Sequence, residues 1–382
     1  MTTESTQPAI AATRLRKASG DNTVLDGIDR AGGRQADHGG ADPGRVDQGG
    51  RLVMSFLTPL RTWHRPLVVC ATLMLGLVLA AGVGLAVDGR TLLDESVWVK
   101  PLKFSFAFAL YSGTLAWLLT KLSKAKRLGR WVGTVFALTA IIEVGAITIQ
   151  AARGTISHFN ASQSDPVTLA LVPVLTYGVM IIIITQLILA IVVLIQRTGG
   201  AALNRAIRAG LALAVYGMLV PVYWMVTEIH PRTVTDANGA QIPMYQGHGV
   251  GDPDGHGMPL TGWSVTGGDF RVPHFFALHG IQALLLLAAA LTALAAKRAW
   301  LRAEKVRARL VGVAALGYSG LVAIVTWQVE RGQSLIHPDA PTLAALAALA
   351  LITVLAATGV IAAAKRVSAT TAEPARHHQM AR

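Results

Sequence analysis

Eight long apolar runs constrain this chain more than any other feature of its sequence. A helix needs about 20 residues to cross the roughly 30 Å of hydrocarbon in a bilayer. The runs are continuous and rich in leucine and alanine, whereas the strands of a membrane barrel would be about 10 residues long and alternate in polarity. The runs are Leu67–Val87, Pro101–Leu119, Trp131–Arg153, Val167–Ile195, Ala206–Thr227, Pro273–Ala296, Leu310–Val329 and Thr342–Ala364.

The sequence therefore predicts an all-α integral membrane protein with eight transmembrane helices in a lipid bilayer. The composition agrees, because 52% of the residues are hydrophobic and only 14% are charged, which is not typical of a soluble domain. Residues 1–50 and 367–382 are predicted to be disordered cytoplasmic tails, since they are polar and show no periodicity. Between them, residues 51–200 and 201–366 form two four-helix halves.

Lysine and arginine are unevenly distributed between alternate loops. If the N-terminus is cytoplasmic, 20 of them lie on the cytoplasmic side of the spans or at its edge and 7 on the other side. The positive-inside rule then places both termini in the cytoplasm of a multi-pass protein of the plasma membrane. The net charge of +13 is read as a signal of topology, so no nucleic-acid partner is predicted.

Three landmarks recur in the same order in the two halves. Proline opens the second and the sixth run 172 residues apart, and the pattern Gln-x-x-Arg-Gly at 150–154 returns 178 residues later at 328–332. Asp165 and Asp339 each precede a helix, with a threonine three residues on, as helix caps do. The sequence predicts a parallel internal duplication, with an insertion at about 236–268 in an outer loop of the second half.

Several polar residues lie inside the apolar runs or at their outer ends. Glu143 and Gln150 are seven residues apart and share a helix face, and Arg153 is within reach of Gln150. A charged carboxyl at that depth is costly unless it is paired, so Glu143 is either a proton or cation site or a neutral hydrogen-bond donor between helices. The offset of 178 places Leu321 at the matching position.

Arg153 and Arg331 have two interpretations. They could form interfacial ion pairs with Glu228 and Glu330 that hold the halves together, or they could line an outer cleft and hold a small anionic ligand. The cleft would lie between spans two, three, six and seven. The candidates for ligand binding or ion coupling are Glu143, Gln150, Arg153, His158, Lys103, Gln328, Glu330 and Arg331.

Seven of the eleven histidines fall on the predicted outer side. Neutral imidazoles bind metals and haem iron, and the candidates for such a site are His158, His274 and His279. The last two are five residues apart, so one helix cannot direct both at one ion. A polar structural role and a proton-linked role remain open for these residues.

The sequence supports three hypotheses about function. The first is a transporter-like protein for a small solute or ion, with proton linkage through Glu143. The second is a membrane-bound haem or metal redox protein that uses the outer histidines. The third is a non-catalytic membrane scaffold or sensor. The sequence leaves the ligand and the oligomeric state open.

Overall fold

The fold is described from a computed structural model of the chain, which covers residues 17–19, 22–25, 59–227, 230–245, 247–252 and 257–380. Residues 17–19, 22–25 and 371–380 are described by their backbone alone. Two short strands, β1 (Lys17–Ser19) and β2 (Asn22–Leu25), pair antiparallel in a separate unit, Met1–Arg45. The rest of the predicted N-terminal tail lies outside the described residues.

Eight helices account for the eight predicted spans. Each is long and apolar enough to cross a membrane, as a multi-pass membrane protein requires. They are α1 (Arg65–Val87), α2 (Val99–Thr120), α3 (Lys126–Ala152), α4 (Pro166–Leu194), α5 (Ala201–Thr227), α6 (Arg271–Ala295), α7 (Glu304–Glu330) and α8 (Ala340–Met380). The all-α prediction is confirmed. The duplication, by contrast, stays a prediction.

The outer surface of the bundle is apolar. Leu79, Leu286 and Leu316 are each at least 70% exposed, and they lie on three different helices. Water-soluble monomers rarely expose contiguous apolar surface on this scale. The side chains inside the bundle are also mostly apolar, with Phe136, Leu189 and neighbours fully buried.

The two groups of four helices pack by the same scheme. In the first, α1 packs on α2 and α3, α2 packs on α3, and α3 packs on α4. In the second, α5 packs on α6 and α7, α6 packs on α7, and α7 packs on α8. Ile281 of α6 belongs to the core cluster of the first group, and Gln282 donates to the Thr114 hydroxyl of α2 at 3.2 Å. The two groups therefore share one core.

Loops at one end of the bundle carry all the remaining strands that the structure describes, and we call it the hairpin end. These strands are β3 (Thr91–Leu92), β4 (Glu95–Ser96), β5 (Pro231–Thr235), β6 (Gln241–Tyr245), β7 (Gly249–Val250) and β8 (Gly268–Asp269), paired as β3–β4, β5–β6 and β7–β8. The opposite end carries the short lysine- and arginine-rich loops, and we call it the basic end.

The predicted insertion at 236–268 is thus partly a hairpin. Its strand β6 lies along the loop that follows α3, because Ala161 N–H donates to Pro243 O at 2.8 Å and Tyr245 N–H donates to Phe159 O at 3.0 Å. A loop of the second half is therefore built onto a loop of the first.

The C-terminus differs from the predicted tail. Helix α8 continues to Met380, sixteen residues beyond the end of its apolar run at Ala364. Loss of hydrophobicity marks where a helix would leave a bilayer, whereas the helix itself ends only where its backbone hydrogen bonds stop.

Candidate functional site

A buried carboxyl of α3 meets an imidazole from the loop that follows this helix at the hairpin end. His158 Nε2 lies 3.0 Å from Glu143 Oε1, and the Glu143 side chain is 1% exposed. Within the described part of the chain, Glu143 Oε2 and His158 Nδ1 have no hydrogen-bond partner, and neither has the nearby Ser157 hydroxyl. One proton can therefore be shared between Oε1 and Nε2, while the other polar atoms of the pair are buried without a partner among the described residues.

The loop after α3 folds back and brings His158 over Glu143. Gly154 adopts φ +72 and ends the helix, and Phe159 adopts φ +66 beside the histidine. The Phe159 carbonyl accepts from the strand β6, and the Asn160 side chain donates to Ile156 O at 2.9 Å. The position of His158 thus depends on the loop of the second half.

Two residues on neighbouring helices shape the space around this pair. Gly178 of α4 faces the carboxyl so closely that a Cβ there would overlap Glu143 Oε2. Phe104 of α2 stacks on the His158 ring, with centroids 6.0 Å apart and 24° between the planes. The pair is therefore enclosed between α2, α3 and α4.

A charged layer joins the two halves at the beginnings of α2 and α6. Lys103 donates to Glu95 Oε1 at 2.9 Å and to Thr261 O at 2.5 Å, so a helix of the first half binds a loop of the second. Arg271 pairs with Asp269 through Nη2 at 2.7 Å and also donates to Gly262 O. Each of these cations therefore has its own carboxylate.

Lys100 is the exception in this layer. It is half-buried, its Nζ lies 6.0 Å from the Phe104 ring centroid, and no carboxylate of the described residues is within salt-bridge distance of it. It is electrostatically coupled to Lys103, Arg271, Glu95 and Glu143. Lys100 is thus an amino group with charges around it but no direct carboxylate partner among the described residues.

Burial controls the protonation of the two loop histidines. Burial of the ring, and then the charge of Lys100, hold the pKa of His158 well below its usual range. Burial and the charge of Arg271 likewise lower the pKa of His248, whose Nδ1 is 3.3 Å from Asp269 Oδ1. Both imidazoles are therefore neutral at pH 7.

Asp269 is ionised at the same pH. Burial alone would raise its pKa, but His248 and Arg271 outweigh that effect and hold the pKa well below the usual range for aspartate. Its carboxylate also accepts from Ser264 N–H at 3.0 Å. Asp269 is therefore a saturated structural anion and leaves no oxygen for a ligand.

Each copy of the Gln-x-x-Arg-Gly pattern forms a set of hydrogen bonds that we call a clamp. The first clamp lies at the end of α3. Arg153 donates to both oxygens of Asp165 at 2.8 Å and to Gln150 Oε1 at 2.6 Å. Gln150 is fully buried and donates to Ile156 O at 3.3 Å and to the Thr168 hydroxyl at 2.9 Å. The clamp ties the end of α3 to the beginning of α4.

The second clamp ties the end of α7 to the beginning of α8. Arg331 donates to both oxygens of Asp339 at 2.8 and 2.9 Å, and Gln328 donates to Ser334 O at 2.6 Å. Arg331 also lies 3.8 Å from the centroid of the Trp327 ring. The spacing of Gln328 to Ser334 equals that of Gln150 to Ile156 in the first clamp.

The backbones of the two clamps are the same as well. Thr155 N–H donates to Gln150 O and Gln333 N–H to Gln328 O, at 3.0 and 3.2 Å. The glycines at 154 and 332 have φ of +72 and +71. Both helices thus end in the left-handed glycine turn with crossed hydrogen bonds known as the Schellman motif.

The arginines therefore pair with helix-capping aspartates. The sequence also allowed ion pairs between the halves, with Glu228 and Glu330 as the partners of the arginines. Glu228 lies outside the described residues, and Glu330 is exposed at the end of α7. The Asp165 side chain accepts from the N–H groups of Val167 and Thr168, which confirms its role as a cap. A polar cavity of about 550 Å³ lies beside Arg153 and Asp165, but the arginine in its wall is already neutralised.

The three histidines predicted as metal or haem ligands each contact a different partner. His158 bonds Glu143, the Nδ1 of His274 lies 2.6 Å from Gly217 O, and His279 stacks on Phe275 with centroids 4.7 Å apart. Among the described residues, no group of three or more histidine, cysteine, aspartate or glutamate side chains is arranged to hold a metal ion.

Several site residues were not among the candidates from sequence. They include Lys100 at the beginning of α2 and Gly178, which is the one glycine in the 29-residue helix α4. Asp269 and Arg271 flank the beginning of α6, where an acid before a helix is a usual sign of capping. The sequence around these positions indicates helix ends and helix packing, but no local pattern indicates that their side chains meet in one site.

No protein-family model matches this chain, and no similar curated protein or solved structure was found.

Proposed function

We propose that this chain is a transporter-like multi-pass protein of the plasma membrane that takes up a small anion together with a proton. The anion would bind beside Lys100, and the proton would be carried by Glu143. The observation that carries the proposal is the position of Lys100, which has no carboxylate partner among the described residues and lies near a buried carboxyl whose Oε2 has no hydrogen-bond partner among them either.

The charges suggest how the two ligands are coupled. Lys103 and Arg271 are neutralised by Glu95 and Asp269, so Lys100 and Glu143 are the remaining pair of opposite charges. While Glu143 is ionised, it balances Lys100. Once Glu143 is protonated, Lys100 is left uncompensated and attracts an anion. Binding of the proton therefore favours binding of the anion.

The proposal includes an arrangement in the membrane. Both termini and the basic end face the cytoplasm in this arrangement, which the excess of lysine and arginine at that end supports through the positive-inside rule. The two halves would be a parallel duplication, related by an axis along the membrane normal. Support for the duplication comes from the matched clamps and from the shared packing scheme of the two groups.

Proteoliposomes test the coupling directly. A pH dye inside the vesicles reports proton uptake when succinate or inorganic phosphate is added outside. We expect anion-dependent uptake by the wild type and at least a tenfold lower rate for Lys100→Gln. Lys124→Gln, which removes an exposed cation at the basic end, serves as the matched control and should keep the wild-type rate.

Glu143→Gln separates the two ligands. It mimics the protonated carboxyl, so anion binding should persist and lose its dependence on pH, while proton uptake should stop. Uptake that is the same in Lys100→Gln and the wild type, or absent with both anions, would contradict the proposal.

A haem or metal redox protein remains the second candidate because of one contact. If His274 donates its Nδ1 hydrogen to Gly217 O, Nε2 keeps a lone pair, as in many metal-bound histidines. An absorption spectrum and metal analysis of the purified protein decide this. Absorbing or metal-containing protein that loses its cofactor in His274→Ala would favour it over transport.

A further inference from the structure

A groove between α6, α7 and α8 lies far along the bundle from the candidate site, toward the basic end. It has a volume of about 440 Å³, and its walls are almost entirely apolar. The wall residues include Leu287, Leu291, Val313, Ala314, Ala357 and Ile361. It runs for at least two helical turns on α6 and on α8.

Helix α8 lines this groove but does not cover it, so the groove is open at the outer surface of the bundle. No residue in the most apolar stretch of α8 is buried inside the protein, and its main packing partners are α7 and the short 3-10 turn Ala299–Leu301. If the helices cross a bilayer, this apolar groove is accessible to the hydrocarbon chains of the lipids.

The mouth of the groove at the basic end is strongly cationic. Arg298 and Trp300 belong to its wall, and Lys297 and Arg302 flank them in sequence as exposed side chains. Lys365 lies one helical turn beyond Ile361 on the same face of α8. None of these cations has a carboxylate within salt-bridge distance in the part of the chain that the structure describes.

Little negative charge is available to compensate them. Among carboxylates whose side chains the structure describes, Glu304 is the only one at this end. It pairs with Arg307 and accepts from Ala202 N–H at 2.8 Å. The groove therefore combines an apolar channel, a tryptophan of the kind found at membrane interfaces, and uncompensated positive charge.

We infer that this groove binds an anionic phospholipid of the surrounding bilayer. One acyl chain lies along α6, α7 and α8, and the phosphate contacts Arg298. The inference rests on the proposal that the helices lie in a membrane, and it is independent of anion transport at the hairpin end.

Native mass spectrometry of the detergent-solubilised full chain tests the headgroup. The protein is titrated with phosphatidylglycerol and with phosphatidylcholine of the same acyl chains. We expect tighter binding of phosphatidylglycerol, and Arg298→Gln should reduce that preference about fivefold, as expected for one cation near the headgroup. Arg309→Gln removes an exposed cation of α7 that is not in the groove wall and should leave the preference unchanged.

Two further variants test the acyl chain. Ala314→Trp and Ala357→Trp fill the groove from different helices, at positions that are only partly buried, and both should remove the bound lipid of either type. A soluble glycerol phosphate should not compete. Equal affinity for the two lipids, an equal effect of Arg298→Gln and Arg309→Gln, or lipid retained in both tryptophan variants would overturn the inference.

This result is distinguishable from failure of the transport proposal. Lipid binding is read from mass, without any transport assay, and none of the four variants touches Lys100, Glu143 or His158. Thermal unfolding of each variant in the same detergent identifies those that fail to fold.

Discussion

At the scale of single residues, the account depends on the enclosure of Glu143. Its carboxyl is held on one side by His158 and faces Gly178 on the other. Burial of a carboxyl in an apolar helix costs free energy, and such groups are found mostly where function requires them. The smallest change to this enclosure is a methyl group at position 178.

Gly178→Ala should destabilise the protein. A Cβ would overlap Glu143 Oε2, and overpacking costs about 1–3 kcal/mol, against about 1 kcal/mol gained from helix propensity. We expect a net loss of about 1 kcal/mol, measured as a lower Tm in detergent. Gly145→Ala, on α3 with no atom within 4 Å of the added Cβ, should be neutral or stabilising. Equal effects of the two substitutions would exclude the contact.

His158 should make stability dependent on pH. The unfolded histidine titrates near pH 6.5, and burial lowers the pKa in the folded state, so the unfolded chain binds more protons between the two values. Stability is therefore complete above about pH 6.5 and falls as the pH drops toward the lower pKa. The loss approaches about 1.4 kcal/mol per pH unit in that window.

Thermal unfolding between pH 7.5 and 5.0 measures this dependence. His158→Gln should flatten the decrease in Tm on acidification, and a smaller slope should remain because the pKa of His248 is also lowered. Superimposable pH profiles of the variant and the wild type would show that His158 titrates normally.

At the scale of elements, the two clamps join α3 to α4 and α7 to α8 in the same way. In each, a carboxylate caps the following helix and accepts hydrogen bonds on both of its oxygens from an arginine of the preceding one. A helix cap contributes to stability because it satisfies N–H groups that the helix itself leaves without acceptors.

Asp165→Ala and Asp339→Ala should therefore lower the free energy of unfolding by similar amounts, about 1 kcal/mol each. Chemical or thermal unfolding in detergent measures both. Glu330→Ala, which removes an exposed carboxylate beside the second clamp, is the matched control and should have little effect. If the capping variants are as stable as the control, the clamps have no structural role.

The helices were predictable from sequence because hydrophobicity over about 20 residues is a strong signal. Their ends were less so. Helix α7 begins at Glu304, whereas its apolar run begins at Leu310, because a helix continues through charged residues of good helix propensity. The hairpin β5–β6 was missed, since its strands are short and lie inside a loop of mixed composition.

The candidate site was predictable only in part. Glu143 was identified because a lone acid in an apolar run is conspicuous, but its contact with His158 arises from the turn at Gly154, which reverses the chain. The approach of Lys103 to Thr261 joins residues 158 apart. No local pattern in the sequence contains that information.

At the scale of the whole molecule, the charged layer at the hairpin end holds the two halves together. Lys103 binds a carbonyl of the second half, and the strand β6 pairs with the loop that positions His158. Opening of the site toward that side therefore requires these contacts to separate. Among the side chains that the structure describes, the basic end has no carboxylate that joins the two halves, and its exposed cations lack carboxylate partners.

The central claim is that the helices cross a membrane with the hairpin end outside and the basic end in the cytoplasm. Labelling of single cysteines with a membrane-impermeant maleimide on intact cells tests it most directly. The only native cysteine, Cys70, is fully buried, so Cys70→Ala provides a clean background. The exposed positions for the introduced cysteines are Gln163 and Gln241 at the hairpin end, and Lys126 and Arg302 at the basic end.

We predict that Gln163→Cys and Gln241→Cys are labelled on intact cells, whereas Lys126→Cys and Arg302→Cys are labelled only after the membrane is permeabilised. The opposite pattern of labelling would show that the topology is the reverse of the predicted one. Labelling of all four on intact cells, or of none until permeabilisation, would contradict a membrane-spanning arrangement of the bundle.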